Sequence, residues 1–598
     1  MSFIRKLFTS QSFNLWLVCL ALISYALLRA WFVAPLHDEN ATFYHFIETG
    51  AIWGKGALLD ANNHLLNSYI GRFFYTHFGE HYFLFRLPSA LSIGIYFWAI
   101  WKLTVTFPIN WQRWLVTLAI VCIPFVLDYF SYTRGYGLAI CFFSCALYFL
   151  QRWLFESKGW LLFVLIGCLL LSVSANLTFL VSAILLMSYV LFYSLMRFKS
   201  LNRWQLLSVL IVILLFVLGI KPLLGFSFEL KDVGALYYGS LDGFWIVTGK
   251  TLCKYVLFYD ANWLKWAVCC VALICGVLVL QLIKRHKWNT FLQRPESWGT
   301  YLIVGNVLSI LYLAKVMLVN YPEDRAAMYF IPLVLLVFGA VVGQFKRLQF
   351  FLLILLFFPI HFLLQLNLST SVFTPDQRMS FAFYHKIRQQ LKQNDRLCVD
   401  PIQQLNWAHF EREYQKKPHF AVAQRTHEGG YDVLITNTIF PTDSEFKKNY
   451  TQLAIDSDNG MVAYQKRIKN ASASRHLIVA SNYVGTDEFI PLWTDSTITN
   501  WVDKRNSYLF SGEIKIDTCY RDLQLVVTTE DSTGQTVLLD SFNFRWYLGE
   551  NKQVFRFEFP YTRRPLSEQE TKLKVYIWNP ERHLVKMKNG LIRVIFDK

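Results

Sequence analysis

Long apolar stretches dominate residues 1–371 of the chain. A helix needs about 20 mostly apolar residues to cross a bilayer. Eleven stretches approach or meet that length, at 12–34, 84–106, 113–130, 136–154, 160–175, 177–196, 205–224, 262–284, 299–319, 326–344 and 348–367. Because backbone inside lipid must satisfy its own hydrogen bonds, such stretches are expected to be helices. The sequence therefore predicts a polytopic α-helical membrane domain over residues 1–371.

Composition agrees with a membrane protein. The 598 residues are 54% hydrophobic and 17% aromatic, with a formal net charge of +17. In a membrane protein, a basic excess is typical of cytoplasmic loops that face lipid headgroups. No RNA- or DNA-binding motif occurs, so we expect membrane lipids and no nucleic acid as partners. Nine of the 11 cysteines lie in or beside apolar stretches, which indicates neither a disulfide framework nor a zinc site.

The short loops predict which way the helices cross the membrane. If Arg5 and Lys6 are cytoplasmic, the basic clusters RFKSLNR at 197–203 and KRHK at 284–287 are cytoplasmic too. This is the bias that cytoplasmic loops of membrane proteins carry. We therefore expect an integral membrane protein, in the inner membrane if the cell is bacterial, with the C-terminal region outside the cytoplasm. The loops expected on that outer side are 35–83, 128–134, 172–177, 225–261 and 320–325.

The character of the sequence changes after residue 371. Segments of helical and strand pattern alternate in FAFYHKIRQQLKQ, RLCVD, LNWAHFEREYQ and YDVLITN, which predicts a small α/β domain over 372–468. Short alternating runs then follow one another between turn residues, among them LFSGEIKID, LQLVVTTE, VFRFEFP and KLKVYIW. This pattern predicts a jelly-roll-like β-sandwich over 469–598.

An acidic pair, Asp38 and Glu39, follows the first apolar stretch in PLHDENATFYHF. Acids at a helix start complement the helix dipole, so the pair can simply cap the first interfacial helix of the outer loop. A carboxylate at the mouth of a cavity can also act as a base or a metal ligand. The two interpretations are compatible, and the residues alone leave both open.

Several motifs resemble a known family. The segments LHDENATFYHF, NNHLLNSYIGRFF and EHYFLFRLPSALSIG are similar to an acidic pair, two interfacial helices and an RLPSAL opening found in membrane glycosyltransferases of the C superfamily. YTRGYGLAI (132–140) and DRAAMYFIPLVLL (324–336) resemble later segments of the same enzymes. The likeness points to the family-39-like group of protein O-mannosyltransferases and lipid A aminoarabinose transferases. It covers the membrane half of the chain and not its C-terminal region.

The resemblance implies an enzyme that moves a sugar from a polyprenyl-phosphate donor to an acceptor at the outer face, where the acceptor is a glycan, a lipid or a protein. Asp38 matches the position of the acid near the acceptor nucleophile, and Glu39 would support it. The leaving group is already a phosphate, so positive charge is needed more than a strong acid. Candidates for binding the donor phosphate are Arg134, Arg325, Lys315 and Arg86.

Each cation also has a structural alternative. Arg134 can extend to the interface beside Asp128, and Arg325 can pair with Glu323 or Asp324. Arg86 can be a structural partner of Glu80 or of the acidic pair. Lys315 lies in an otherwise apolar stretch, where a cation is a functional candidate but can also reach the headgroups.

Histidines are concentrated in the first outer loop, at positions 37, 45, 64, 77 and 81. They make a divalent metal cation possible, although their spacing repeats no compact ligand motif. His64, with Asn63, and His37 are candidates for a substrate or metal contact. No Gly-rich phosphate loop occurs, which argues against a nucleotide-sugar donor.

Two other classes remain open on sequence grounds. One is a non-catalytic transporter, a flippase for lipid-linked glycans or a scaffold. Transporters often carry internal repeats and matching broken helices, and the sequence has no such symmetry. The other is a glycan polymerase or ligase, in which we expect the large loop between late spans.

Overall fold

The structure is a computed structural model that describes residues 11–598 apart from 55, 108, 372, 393–394, 416, 424–430, 439–447, 468–474, 497–505, 517–522, 549–553, 563–566, 568 and 597–598. The chain divides into two compact units. We call residues 11–33 together with 45–369 the membrane unit. Residues 34–44 together with 370–596 form the tail unit. The acidic pair therefore belongs to the tail unit, although it is separated from the rest of that unit by more than 300 residues of sequence.

The helices are, in chain order, α1 Gln11–Phe32, α2 His37–Thr42, α3 Leu65–Phe78, α4 Tyr82–Leu103, α5 Asn110–Val121, α6 Pro124–Phe130, α7 Tyr136–Glu156, α8 Gly159–Ala175, α9 Leu180–Met196, α10 Arg203–Asp232, α11 Lys250–Leu257, α12 Leu264–Arg285, α13 Trp288–Phe291, α14 Pro295–Val316, α15 Phe330–Gly343, α16 Phe357–Leu364, α17 Phe381–Arg388, α18 Gln404–Tyr414 and α19 Phe544–Leu548. Of these, α2, α17, α18 and α19 belong to the tail unit.

The prediction of a polytopic helical domain is confirmed. Within the described residues, seven helices are long and apolar enough to cross a membrane. Helices α5 and α6 pass the same test together but bend by 62° at a break before Pro124, so they form either a broken eighth span or a re-entrant loop. Shorter apolar helices cover 159–175, 330–343 and 349–364. Together these helices coincide with all eleven predicted stretches.

Two local features explain where these helices break. Proline cannot donate a backbone hydrogen bond and is favoured at the first position of a helix, so Pro124 begins α6 and separates it from α5. Asn176 separates α8 from the next apolar helix, because its side chain accepts the backbone N–H of Thr178 at 3.0 Å. The short polar break between the fifth and sixth predicted stretches is thus a helix cap.

The first outer loop contains helical segments, as the resemblance implied. The first is α2, which is continued by a π-helical turn at Phe43–Ile47. The second is α3, which begins within the segment NNHLLNSYIGRFF.

A buried ion pair lies inside the membrane unit. Arg29 of α1 is 2.7 Å from the carboxylate of Asp128 in α6, and its guanidinium also donates to the Tyr132 hydroxyl at 3.2 Å and to the Asn367 carbonyl at 2.6 Å. A buried charge needs a partner of this kind, because its desolvation is costly. The pair therefore ties α1 to α6, to the turn that follows α6 and to the segment after α16.

The strands of the tail unit are, in chain order, β1 Leu397–Val399, β2 Val422–Ala423, β3 Val433–Asn437, β4 Tyr450–Asp456, β5 Met461–Lys466, β6 Arg475–Gly485, β7 Phe489–Asp495, β8 Asn506–Ile516, β9 Gln524–Asp531, β10 Thr536–Asn543, β11 Val554–Thr562, β12 Glu570–Trp578 and β13 Val585–Phe596. Within the described residues they form three sheets. A five-stranded sheet has the order β2-β1-β3-β5-β4, with β1, β2 and β3 parallel. Two antiparallel four-stranded sheets have the orders β10-β9-β12-β7 and β11-β8-β13-β6.

An α/β part followed by a β-sandwich is what the sequence predicted. The two parts share one buried apolar core, in which Phe420 packs against Tyr547 with ring centroids 4.6 Å apart. Burial of such rings contributes stability by removing apolar surface from water. The domain boundaries at 371/372 and 468/469 stay predictions.

Candidate active site

The turn between α6 and α7 carries Arg134 and is held close to His64. Gly135 has φ +70°, in the left-handed region that favours glycine. A Cβ there would meet the Ala175 carbonyl oxygen and would lie 2.8 Å from the His64 Cβ. Only a residue without a side chain therefore lets this turn pack onto His64 and the end of α8.

Arg134 is a buried cation with a specific partner. Its side chain is 4% exposed, and its Nη1 donates to the Asn62 side-chain oxygen. Burial, and then the charge of Arg325, lower the pKa of Arg134 to about 9. The guanidinium is still protonated at neutral pH, and the lowered pKa reflects mainly the loss of hydration, with the positive charge of Arg325 as a smaller cause. An anion bound here would offset the repulsion between the two positive charges.

Arg325 belongs to a second rigid arrangement, in the 3₁₀ turn Asp324–Ala327. Its guanidinium carbon lies 4.4 Å from the centroid of the Tyr238 ring, within the range of a cation–π interaction. The Tyr238 hydroxyl donates to the Asp324 carboxylate at 2.5 Å. The Asp324 backbone N–H in turn donates to the Thr251 hydroxyl at 3.0 Å. The loop at 238, helix α11 and the turn at 324 are therefore fastened together around Arg325.

Asp324 has an unusual backbone conformation, with φ +36° in a residue that is not glycine. Its carboxylate accepts both the Tyr238 hydroxyl and the backbone N–H of Arg325. Strain of this kind persists only where the surrounding contacts hold it, and it often occurs at functional sites. This bond joins Asp324 to the backbone of Arg325, and the alternative in which the Arg325 side chain pairs with Glu323 or Asp324 stays a prediction.

His64 is buried beside this pair of cations. It is 5% exposed, and its ring lies 5.2 Å from the Tyr136 ring in an edge-on arrangement. Burial, and then the charge of Arg325, lower the pKa of His64 to about 3, so the imidazole is neutral. Within the described part of the chain its Nε2 has no hydrogen-bond partner. A neutral imidazole can donate to, or accept from, a hydroxyl or a phosphate oxygen.

Asn63 was predicted as a site residue together with His64, but its side-chain amide makes hydrogen bonds within the protein. Its amide nitrogen donates to the Ile52 carbonyl at 2.7 Å, and its oxygen accepts the Ser68 hydroxyl at 3.0 Å. Both contacts hold the loop that leads into α3. Asn62, its neighbour, is the residue that contacts Arg134. An amide carries no charge signal, so the sequence did not distinguish the two.

The two residues of the acidic pair, Asp38 and Glu39, have different roles in α2. The Glu39 carboxylate accepts the backbone N–H of Leu36 at 3.1 Å, and this confirms the capping interpretation for Glu39. Glu39 is buried, whereas Asp38 and His37 are only partly buried. The Asp38 carbonyl accepts the Thr42 hydroxyl at 2.9 Å, as in an ordinary helical turn. The cap is thus made by Glu39, and Asp38 occupies the second helical position.

The remaining predicted cations lie in different surroundings. Arg86 in α4 is 1% exposed, and its Nη1 donates to the carbonyls of Ala30 at 3.1 Å and Val33 at 2.6 Å. A cation at this place satisfies the carbonyl end of α1. Lys315 lies near the end of α14 on an exposed face.

Arg29 and Asp128 are charged residues whose pairing the sequence did not predict. Arg134 was expected to have Asp128 beside it as an alternative, but the structure pairs Asp128 with Arg29. A charged residue within an apolar stretch is itself a signal of function or structure. Arg29 carried that signal, but its partner is encoded in a different helix.

Within the described residues, no three His, Cys, Asp or Glu side chains come together in a group that could hold a metal ion. A protein-only metal centre made of the loop histidines is therefore not formed there. A divalent cation that shares Asp38 with a donor phosphate stays a prediction.

No family model and no curated protein matches the chain. Among solved structures it is similar to ArnT from Cupriavidus metallidurans bound to undecaprenyl phosphate, with 14% identity and a TM-score of 0.35 over 75% of this chain and 97% of that one. The apo state of the same protein gives 13% identity and a TM-score of 0.36, over 76% of this chain and 98% of that one. The arabinosyltransferase EmbB from Mycobacterium smegmatis gives 10% identity and a TM-score of 0.33, over 97% of this chain and 64% of that one.

Proposed function

We propose that the chain is an integral membrane glycosyltransferase that moves a sugar from a polyprenyl-phosphate donor to a glycan, lipid or protein acceptor at the extracytoplasmic face. The observation that carries this proposal is the cluster around Arg134 and Arg325. The turn that carries Arg134 packs on His64, whose Nε2 lacks a partner among the described residues, and Arg325 is held over the Tyr238 ring, from where its charge lowers the pKa of both Arg134 and His64. Their loops are predicted on the same outer side of the membrane.

The chemistry of the donor explains why such a pair is useful. In a polyprenyl-phosphate sugar the phosphate is a diester with one negative charge. When the bond to the sugar breaks, the charge on the departing phosphate increases. Buried guanidinium groups bind phosphate oxygens through strong, directed hydrogen bonds. Because they stabilise charge that develops in the transition state, they increase the rate as well as the affinity.

His64 is suited to a different contact with the donor than the two arginines. A neutral imidazole beside two cations does not add positive charge, so it is suited to a hydroxyl of the sugar or to a single phosphate oxygen. Tyr136 packs against its ring and limits how the ring turns. We infer that His64 orients the donor while Arg134 and Arg325 hold its charge.

For the acceptor, we propose Asp38 as the base and Glu39 as the residue that supports its helix. An acceptor hydroxyl needs only a carboxylate within hydrogen-bond reach to lose its proton as it attacks the sugar. Glu39 is buried and accepts the Leu36 N–H, whereas Asp38 is only partly buried, so Asp38 is the better candidate of the two. The two backbone bonds of Arg86 favour its structural alternative, and the exposed face of Lys315 suits lipid headgroups.

The test uses the full-length protein in nanodiscs with a set of radiolabelled polyprenyl-phosphate sugars. Transfer or donor hydrolysis should fall by about 100-fold or more in Arg134→Gln and Arg325→Gln, and in Asp38→Asn. The matched control is Arg113→Gln, because Arg113 also lies on an aromatic ring, 3.7 Å from the Trp101 centroid, but on the predicted cytoplasmic side. If Asp38→Asn leaves transfer unchanged, Asp38 is not the base.

A complete lack of transfer and hydrolysis would favour the non-catalytic alternative. If no lipid-linked sugar supports transfer or hydrolysis, the enzyme proposal is wrong and a transporter or scaffold for lipid-linked glycans becomes the better explanation. Sidedness has its own test, because a C-terminal tag that reacts only from the cytoplasm would contradict the predicted orientation.

A further inference from the structure

The helix that carries Asp38 is too short to be stable alone. It has six residues, His37–Thr42, and one helical turn does not recover the entropy of forming it. Its support must therefore come from tertiary contacts. Within the tail unit, Asn40, Phe43 and Tyr44 contact residues beyond position 400.

The most specific contact is a buried hydrogen bond between two asparagines. The Asn40 amide nitrogen donates to the Asn406 side-chain oxygen at 2.7 Å, across 366 residues of sequence. Both residues are almost fully buried. The Asn406 amide nitrogen in turn donates to the Gln403 side-chain oxygen at 2.8 Å and to the Gln377 carbonyl at 3.0 Å. This network fixes Asn406, and Asn406 fixes α2.

Aromatic contacts hold the residues that follow α2. The Arg412 guanidinium carbon lies 5.6 Å from the Phe43 ring centroid and 5.7 Å from that of Tyr44, in the range of cation–π interactions. The Tyr44 ring lies 6.2 Å from the Trp546 ring. Phe43 and Tyr44 are both fully buried, so these rings anchor the end of the segment.

The helical period separates these anchors from the acid. At about 100° per residue in α2, Asn40 and Asp38 lie about 160° apart and therefore on opposite faces, and Phe43 and Tyr44 begin the π-helical turn that follows. The side that is held by α18 is therefore not the side that bears the acid. Such contacts fix the backbone of α2 and, through it, the place of the Asp38 side chain.

We infer that helix α18 of the tail unit positions Asp38 for the transfer reaction, through Asn406 and Arg412. Neither residue touches the reacting groups in this scheme, so both are positioning residues. The inference rests on the proposed function for its kinetic consequence. The structural part, that α18 fastens the segment 36–44, can be tested without any activity.

The first measurement is hydrogen–deuterium exchange of the full-length protein in nanodiscs. Asn406→Ala and Arg412→Ala should raise the exchange rate of peptides covering 36–44 by about three- to tenfold, because each removes a contact that holds them. The matched control is Asn459→Ala, which removes another buried asparagine hydrogen bond of the tail unit, to Asp456 at 3.0 Å. If Asn406→Ala and Arg412→Ala leave this exchange unchanged, or if Asn459→Ala raises it equally, the fastening is refuted.

The second measurement is kinetic. A displaced base should lower kcat by about 10- to 100-fold while the donor KM stays the same. Asn40→Ala, Asn406→Ala and the double variant should each lower kcat, because all three remove the hydrogen bond between Asn40 and Asn406. The double variant should lose less than the product of the two single losses, because the two residues share that bond. If exchange rises but kcat does not fall, α18 holds the segment without positioning the acid. If the unaltered protein has no transferase activity, the proposed function fails, and the exchange result still decides the fastening.

Discussion

Replacement of Gly135 by alanine tests the packing of the Arg134 turn most directly. An alanine at φ +70° costs about 1–2 kcal/mol in backbone energy. Its Cβ would also lie 2.8 Å from the His64 Cβ and against the Ala175 carbonyl, and overpacking of this kind costs about 1–3 kcal/mol more. Because Ala175 presents backbone and not a flexible side-chain end, the turn that carries Arg134 must move.

Gly234 provides the matched control. It has φ +73°, and no atom of the described residues lies within 4 Å of the position that an added Cβ would take, so Gly234→Ala carries the backbone cost alone. The difference between the two variants then measures the close approach, about 1–3 kcal/mol, or about 5- to 150-fold in kcat/KM for the donor. The assay is donor transfer by the full-length protein at several donor concentrations, with thermal unfolding midpoints measured in parallel. If both variants lose equal stability and Gly135→Ala retains the kcat/KM of Gly234→Ala, the packing of this turn on His64 is not needed for donor binding.

Other predictions address single contacts. Tyr238→Phe keeps the ring below the guanidinium but removes a hydrogen bond to the Asp324 carboxylate, worth about 1.5–3 kcal/mol, so the donor KM should rise about tenfold in a steady-state assay. His64→Asn should weaken donor binding by the same factor at about pH 5 and about pH 8, because a pKa lowered to about 3 keeps His64 neutral at both. A ratio that changes with pH would mean that His64 titrates in this range. Asp128→Asn should destabilise the protein by about 3–5 kcal/mol, because it leaves the Arg29 charge buried without its counter-ion, and thermal unfolding in detergent measures this loss.

The helices were predictable because hydropathy is a property of consecutive residues. Even the exceptions had local signals, since Pro124 marks the bend of one span and Asn176 caps the next helix after a short break. The strands of the tail were visible for the same reason, through alternation of apolar and polar residues. The shared core of its two parts was not, because the packing of Phe420 on Tyr547 joins residues far apart in sequence.

The candidate site was predictable in its charges and not in its partners. Arg134, Arg325 and His64 stand in motifs and carry groups that phosphate chemistry needs. Asn62 and Tyr238, which hold the two cations, are an uncharged amide and a phenol, and a chain rich in both gives no reason to select them. Partner choice depends on which loops meet in the fold, and one sequence does not contain that information in any local pattern.

The two halves of the proposed reaction are encoded in different units of the chain. The cations proposed for the donor lie in loops between membrane helices, whereas Asp38 lies in a segment that folds with the tail unit. A change in α18 can therefore alter the base without touching the contacts of Arg134 or Arg325, and a change around Gly135 can do the reverse. Because the free-energy effects of independent changes add, acceptor chemistry could diverge through the tail while the donor site stayed constant. Under the proposed function, the tail unit would contribute to catalysis through the position of Asp38 and would need no binding site of its own.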